Sequence, residues 1–97
     1  MRTVRHETDV DRALQDAAER WQGAQDIWDS IVLNLSLDPT VGRPLNEAGT
    51  VRSWTLHGAR SNDIPTLTIL YKYDGGHIVS IETARFEDAT AYQIGRA

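Results

Sequence analysis

Apolar and small residues recur at intervals of three or four through the first third of the chain. The series is Val10, Leu14, Ala17, Trp21, Ala24, Trp28, Ile31 and Leu35. This spacing predicts a helical face that stays apolar for about seven turns. Gly23 lies in the middle of the series and costs about 1 kcal/mol relative to alanine inside a helix. We therefore expect two helices that form a hairpin at Gly23, with one long helix as the alternative.

Other residues mark the two ends of this helical region. Residues 3–6 can form a short first strand. Thr8 and Asp9 then offer side-chain oxygens that can cap the first helix. The second helix must end by Asp38-Pro39, because the residue before a proline avoids the helical conformation. Residues 40–44, with a glycine and a proline, predict a turn-rich connection.

After Val51 the period of the pattern changes from helical to two. Trp54 and Leu56 alternate with polar neighbours, which is typical of a strand with two distinct faces. Residues 58–65 are mostly polar and predict a loop. The second half of the chain therefore reads as strands rather than helices.

The strongest local unit is a hairpin over residues 66–83 around Asp74-Gly75-Gly76. A loop of these three residues puts the large apolar residues of both strands on one face, whereas a two-residue loop does not. Because a slip of one residue turns a whole face over, the pattern favours the three-residue loop. The predicted cross-strand pairs are Tyr73–His77, Tyr71–Val79 and Ile69–Ile81.

The other face of this hairpin is half apolar. Leu70 and Ile78 lie on it, and its polar members are Thr68, Lys72, Ser80 and Glu82. Such a face is too apolar to be bare solvent surface and too polar to be deep core. We expect a partner protein or a second copy of the chain to cover it, with Leu70, Ile78 and Lys72 as partner-binding residues.

The order of the elements predicts an α+β fold, in which an N-terminal strand and a helical hairpin pack on a small, mostly antiparallel sheet. The 97 residues fit one domain over residues 1–97. The absence of cysteine excludes disulfides, a thiolate zinc site and thiol chemistry. No apolar run approaches the roughly 20 residues of a membrane-spanning helix, and residues 1–7 lack the apolar stretch of a secretory signal. By elimination we expect a cytoplasmic protein with no membrane partner.

The charge of the chain is unevenly distributed. The net charge of −4 argues against tight, nonspecific nucleic-acid binding, since neutralising phosphates supplies most of that affinity. Residues 7–29 carry a net −5, whereas residues 43–85 carry +1. The acidic charge thus belongs to the helical region, where a solvated helix face accounts for it. The second half is nearly neutral and rich in arginine.

Two segments resemble the RelE/ParE toxin-like family. LSLDPTVGRPL at 35–45 is similar to the "DP…G.PL" connection that these proteins use after their second helix. ILYKYDGGHIVSIETARFED at 69–88 is similar to their paired terminal strands. Tyr71 falls at the tyrosine of their "I.Y" segment, and Arg85 falls where they often have an arginine after the last strand. The resemblance spans residues 2–92.

The resemblance implies a toxin of a type II toxin–antitoxin pair, held inactive by a cognate antitoxin that lays a helix or strand across it. Our first hypothesis is a protein that acts mainly by binding this antitoxin and a target in translation or gyrase, as the ParE branch does. The second is a ribosome-dependent mRNA endonuclease. The third is a non-toxic protein of the same fold, such as an obligate homodimer. None of the three implies a cofactor.

The endonuclease hypothesis needs an acceptor for the ribose 2′-hydroxyl proton, a donor to the leaving oxygen, and cations around the phosphate. The resemblance points to four residues for these roles: Arg85, His57, Arg60 and Tyr92. Additional proton carriers would come from His77, Glu82 and Tyr71. The ribonuclease branch also has a lysine cluster, whereas Lys72 is the only lysine here. The acidic balance also opposes association with a ribosome surface.

Several of these residues have structural interpretations as well. We expect His77 to pair with Tyr73 at the hairpin end, and Arg85 to pair with Glu82 or Glu87 as an alternative to phosphate contact. Tyr71 and the three tryptophans fit the core. No histidine shares a ligand spacing with carboxylates, so we predict no metal site.

Overall fold

Two helices cover one face of a five-stranded mixed sheet in the computed structural model, which describes residues 1–89. The predicted α+β class is confirmed. The elements in chain order are β1 (Thr3–His6), α1 (Thr8–Arg20), α2 (Ala24–Leu37), β2 (Arg43–Pro44), β3 (Val51–Leu56), a 3₁₀ turn (Arg60–Asn62), β4 (Thr66–Tyr73) and β5 (Ile78–Glu87). No helix among the described residues is both long enough and apolar enough to cross a membrane.

The strands lie in the order β1-β5-β4-β3-β2. β1 runs parallel to β5, and the other three pairings are antiparallel, so the sheet is mostly antiparallel as predicted. Strand β2 was not predicted: Arg43 and Pro44 pair with Ser53 and Arg52 within the segment that we expected to be only a turn-rich connection. Two residues are too few to show an alternating pattern, and proline is tolerated here because β2 is an edge strand.

The predicted break at Gly23 is confirmed, and contacts with the loop before β4 explain it. The backbone N–H of Gly23 donates to the carbonyl oxygen of Asp63 at 2.9 Å, and that of Gln22 donates to Asp63 Oδ2 at 2.7 Å. Asp63 adopts the left-handed conformation, with φ at 57°. A Cβ on residue 23 would collide with the side chain of Ile64. The loop thus supplies hydrogen-bond acceptors to the start of α2 and leaves room only for glycine.

The predicted cap of α1 is wrong. Glu7 is the N-cap residue and makes no side-chain capping bond, while Thr8 and Asp9 already lie inside the helix. The reason is that β1 ends at His6 and the chain enters the helix directly. The acidic first turn that suits the helix dipole is present in Asp9 and Asp11. The other end agrees with prediction, since α2 ends at Leu37 before Asp38-Pro39.

The predicted register of the β4–β5 hairpin is wrong by two residues near the loop and by three further on. Tyr73 pairs with Val79 and Tyr71 with Ile81, so the loop is longer than the three predicted residues. The expected pairing of His77 with Tyr73 is therefore absent, and the His77 carbonyl accepts a bond from Thr3 N–H at 2.7 Å. The shift of two keeps the side chains next to the loop on their predicted faces. A β-bulge between Leu70 and Tyr71 then pairs Ile69 with Ala84 instead of Ile81, so the end of β5 turns its faces over.

The core lies between the helices and the sheet. Its fully buried members include Ile31 and Leu35 of α2, Ile69 and Tyr71 of β4, and Ile81 of β5. The predicted core positions of Trp21 and Trp28 are confirmed by exposures of 8% and 6%, whereas Trp54 is only half-buried.

The connection from α2 to β2 is held by one buried tyrosine. The Tyr71 hydroxyl donates to the Pro39 carbonyl at 2.8 Å and accepts from the Gly42 N–H at 2.9 Å. A Cβ on residue 42 would lie 2.6 Å from this hydroxyl oxygen, so glycine is required. Arg52 holds the same segment from the other side, donating to the carbonyls of Thr40 and Gly42 at 3.2 and 2.8 Å.

We predict that Tyr71→Phe lowers the free energy of unfolding by about 1–3 kcal/mol, because it leaves a buried N–H and a buried C=O without partners. Chemical denaturation measures this, with Tyr73→Phe as the control because Tyr73 is only half-buried. An equal loss in both variants would contradict the role of the Tyr71 hydroxyl.

The effect of Tyr71→Phe on the free energy of unfolding should depend on pH. Burial raises the pKa of Tyr71, so the unfolded chain ionises first, near pH 10. The stability that the neutral phenol contributes is complete below that pH and is lost as the pH rises towards the folded pKa. We expect the difference in unfolding free energy between wild type and Tyr71→Phe to shrink above about pH 10. A constant difference across that range would contradict the prediction.

Candidate functional site

One face of the sheet is not covered by any element of residues 1–89. The helices pack on the face that carries the buried residues of β4 and β5, and the strand registers place a second set of side chains on the opposite side. We call this second side the open face. Its residues are Thr3, Arg5, Arg43, Val51, Ser53, Thr55, Thr66, Thr68, Leu70, Lys72, Ile78, Ser80, Thr83, Arg85 and Glu87.

The predicted partner-binding residues lie together on the open face. Leu70 is half-buried, Lys72 is exposed and Ile78 is 44% exposed. Lys72 belongs to a row that crosses four strands, in which Arg5 of β1, Ser80 of β5 and Val51 of β3 are its neighbours. These residues and Ile78 line a shallow concavity of about 470 Å³. Asp74 and Tyr73 also line it, so the concavity combines two cations, one carboxylate and several apolar side chains.

A second row contains Arg85. This residue pairs with Thr68 of β4, which in turn pairs with Thr55 of β3. The hydroxyl oxygens of the two threonines lie 3.0 Å apart. An exposed guanidinium therefore ends a row of hydroxyl groups, an arrangement that can contact phosphate or carboxylate oxygens.

The open face has a positive excess. Four cations share it: Arg5, Arg43, Lys72 and Arg85. Lys72 Nζ lies 4.0 Å from Glu82 Oε1, and Arg85 Nη2 lies 3.7 Å from Glu87 Oε2, which confirms the pairing of Arg85 with one of the two expected glutamates. Neither Arg5 nor Arg43 has an ion pair within 4.0 Å among residues 1–89. These two glutamates offset two of the four positive charges, so the strands leave an excess of two on this side of the sheet.

The helix layer carries the opposite charge. Six acidic residues and two arginines lie on α1 and α2. Since the helices cover one side of the sheet and the cations lie on the other, the acidic helical surface expected from the sequence is physically separated from the open face.

The endonuclease candidates are not all brought together. Arg85 lies on the open face, and His57 is exposed one residue beyond the end of β3. His57 is two positions past Thr55, or about 7 Å further along the strand direction. Arg60 begins the 3₁₀ turn and lines a separate concavity of about 200 Å³ with Trp21 and Asp88, beside the end of α1. Tyr92 lies outside the described residues.

The other proposed proton carriers have structural partners or lie elsewhere. The Tyr71 hydroxyl is fully engaged with the backbone of residues 39 and 42, and burial raises its pKa, which favours the neutral phenol. His77 is exposed at the hairpin end. Glu82 is half-buried beside Lys72. Tyr71 is thus a core residue, as its structural interpretation predicted.

Sequence reasoning missed Arg5 and Arg43 as members of the open face. Arg5 joins it only because β1 pairs in parallel with β5, and Arg43 joins it only because β2 exists. The one sequence signal was the position of Arg5 between Val4 and His6 in a short predicted strand. Among residues 1–89, no group of three or more His, Asp or Glu side chains is placed to hold a metal ion.

Comparisons of the chain with family models, curated proteins and solved structures find no match.

Proposed function

We propose that this chain is a RelE/ParE-like toxin component of a type II toxin–antitoxin pair, and that it acts mainly by binding other proteins through the open face. The observation that carries the proposal is a sheet face without a covering layer in residues 1–89, on which Leu70 and Ile78 lie among four cations. Apolar residues that remain exposed within a polar rim are typical of a protein interaction surface.

The arrangement of the elements supports the family part of the proposal. A strand, a helical hairpin and a mostly antiparallel sheet follow one another as the resemblance implies. The two segments that resemble the family also contact each other, because Tyr71 of the "I.Y" segment holds Pro39 and Gly42 of the "DP…G.PL" segment. A physical contact between the two motifs gives a reason for both to occur in one chain.

The charge distribution favours an antitoxin segment that is acidic and partly apolar. Acidic side chains of such a segment would meet Arg5 and Lys72, and an apolar side chain would cover Ile78. The acidic helix layer would repel the same segment, so the field of the protein directs it to the open face. A target in translation or gyrase would then compete for the same face, and binding it requires no catalytic residue.

The first test of the proposal is expression in bacteria. We expect the chain expressed alone to arrest growth, and expect the product of a short adjacent reading frame to relieve the arrest and to copurify with the chain. Colony counts after induction measure the first effect, and affinity purification measures the second. Accumulation of the folded chain without any effect on growth would contradict the toxin proposal and favour the non-toxic dimer.

A substitution on the open face tests the interaction surface. We predict that Ile78→Ser weakens binding of that adjacent product about tenfold or more, because apolar area in the contact is lost. The melting temperature should change little, since Ile78 is already 44% exposed. Leu37→Ser is the matched control: Leu37 is 60% exposed at the end of α2, in the helix layer on the other side of the sheet. Similar losses of affinity in both variants would remove Ile78 from the surface.

One observation favours a second function, an mRNA endonuclease. Arg85 ends the row of threonine hydroxyls on the open face, and within residues 1–89 its one ion pair is the exposed contact with Glu87. Its guanidinium is thus accessible to a phosphate. His57, near the same end of the sheet, would be the proton carrier, whereas the position of Arg60 beside Trp21 fits this function less well.

If the endonuclease function holds, we predict that Arg85→Ala abolishes transcript cleavage in cells expressing the chain. The circular dichroism spectrum should match that of the wild type. The unfolding free energy should stay within about 0.5 kcal/mol of the wild-type value, because exposed ion pairs contribute little to stability. Arg12→Ala, which removes the same charge from the exposed side of α1, is the control. Growth arrest without cleavage in wild type would instead favour inhibition by binding alone.

A further inference from the structure

The outer edge of β1 carries backbone groups that have no partner among residues 1–89. β1 is an edge strand, and β5 is its neighbour. The N–H groups of Thr3 and Glu7 donate to carbonyls of β5 at 2.7 and 3.2 Å. Alternate residues of a strand direct their backbone groups to opposite sides, so those of Val4 and His6 point away from β5. No other element of residues 1–89 supplies these groups with a backbone partner. Such an edge is a template for another strand.

The opposite edge of the sheet is protected against pairing. β2 has only two residues, and one of them is Pro44. A very short edge strand and a proline both prevent the addition of a further strand. β1 has four residues and no proline. The sheet can therefore be extended at β1 but not at β2.

A groove runs beside the β1 edge, between β1 and α2, and its two ends carry opposite charges. At one end the Arg2 N–H donates to the Ser36 carbonyl at 3.0 Å. At the other end the rings of His6 and Trp28 meet edge to face, with centroids 5.4 Å apart, and Asp29 follows Trp28 on α2. Arg2 and Asp29 both line the groove. One end is thus basic and the other acidic.

The two charges that define the groove are not neutralised by close partners. Neither Arg2 nor Asp29 has an ion pair within 4.0 Å in the part of the chain that the structure describes. The Arg2 guanidinium lies over the Tyr73 ring, 5.6 Å from the centroid, and also attracts Asp38 of its own chain. A cation–π contact of this kind is weak at an exposed site, so Arg2 can exchange it for a carboxylate.

We propose that the β1 edge pairs with the β1 edge of a second copy of the chain, antiparallel and about a two-fold axis at Val4. In this register the two Val4 residues exchange backbone hydrogen bonds, and Arg2 of each copy lies opposite His6 of the other. An axis at Arg5 would instead put two guanidinium groups directly opposite each other, which destabilises a sheet. The pairing at Val4 joins the two sheets into one continuous sheet with a self-complementary interface.

The distribution of charge along the groove is the reason for choosing a second copy as the occupant. A two-fold axis at Val4 turns the groove end for end, so the Arg2 end of each copy faces the Asp29 end of the other. Leu33 lines the groove between these ends, is 53% exposed, and would pack against Leu33 of the second copy. This inference does not rest on the proposed toxin function, because the edge and the groove lie outside the open face.

Sedimentation of the full chain tests the strand pairing. We expect a monomer–dimer equilibrium, and expect Val4→Pro to raise its dissociation constant about tenfold or more, because proline removes an N–H that points to the second copy. The β1–β5 ladder does not use that N–H, so the fold should tolerate this proline on an edge strand. Val4→Ala is the matched control, since it shortens the side chain and keeps the N–H. A chain that is still monomeric at about 1 mM, or an equal loss in both variants, would overturn the proposal.

A charge exchange tests the two-fold arrangement. Arg2→Glu and Asp29→Arg should each weaken the dimer about tenfold, and the double variant should restore it, because each charge then meets its opposite again. Two weakened single variants without rescue in the double variant would overturn the arrangement.

Amide hydrogen exchange provides a measurement that needs no variant. Protection of the Val4 and His6 amides should rise with protein concentration, since these groups are bonded only in the dimer. Exchange at the same rate at all concentrations, or protection only after the product of the adjacent reading frame is added, would overturn the proposal. Neither result bears on growth arrest, which tests the toxin proposal separately.

Discussion

The rest of the structure depends on two hydrogen bonds of the Tyr71 hydroxyl. Tyr71 lies on β4, the central strand of the sheet, and its ring is in the core. Its hydroxyl bonds the backbone of Pro39 and Gly42, on both sides of the turn that carries the chain from α2 to β2. Buried backbone groups need partners, so this hydroxyl determines where the turn can lie. Because Gly42 has no side chain, the turn can approach the ring closely enough. Arg43 then enters the sheet at its edge and contributes a cation to the open face.

The two layers of the fold give the molecule two chemically different sides. The helices carry six of the fourteen acidic residues and only two arginines, and the open face has more cations than carboxylates. A chain with a net charge of −4 would as a whole repel an acidic partner. The sheet separates the acidic helices from the cations of the open face. An acidic partner that approaches the open face therefore meets mainly the electrostatic field of Arg5, Arg43 and their neighbours. Net charge alone is thus a poor guide to which partners this protein can bind.

The sequence predicted those parts of the fold that depend on short-range periodicity. The helical stripe, the break at Gly23, the end of α2 and the faces of β3, β4 and the start of β5 all follow from residues within a few positions of one another. The hairpin register was missed because a shift of two residues leaves the apolar pattern near the loop unchanged, and because a β-bulge adds a third residue further on. The bond between Thr3 and His77, which holds β1 beside β5, joins residues more than seventy positions apart and has no short-range pattern.

The same difference between short-range patterns and long-range contacts explains which residues of the candidate site were predicted. Leu70, Lys72 and Ile78 were predicted because they share a face within one hairpin. Arg5 and Arg43 reach that face through the parallel pairing of β1 and through a two-residue strand, neither of which has a local pattern. Arg60 was grouped with Arg85 on the resemblance alone, and the 3₁₀ turn instead places it beside Trp21. Residues from separate elements are therefore the ones for which sequence is least informative.

The ion pairs on the open face also bear on how a partner would bind there. Among residues 1–89, the ion pairs of Lys72 and Arg85 are contacts of 4.0 and 3.7 Å with Glu82 and Glu87, in which both cations are exposed. Such pairs contribute little to stability, so a partner carboxylate can replace them at small cost. The glutamates in turn reduce repulsion among the cations while the face is free. The buried hydrogen bonds of Tyr71 and the part-buried bond of Arg52 to Gly42 do not involve these ion pairs, so the fold can keep its shape while the contacts on its surface change.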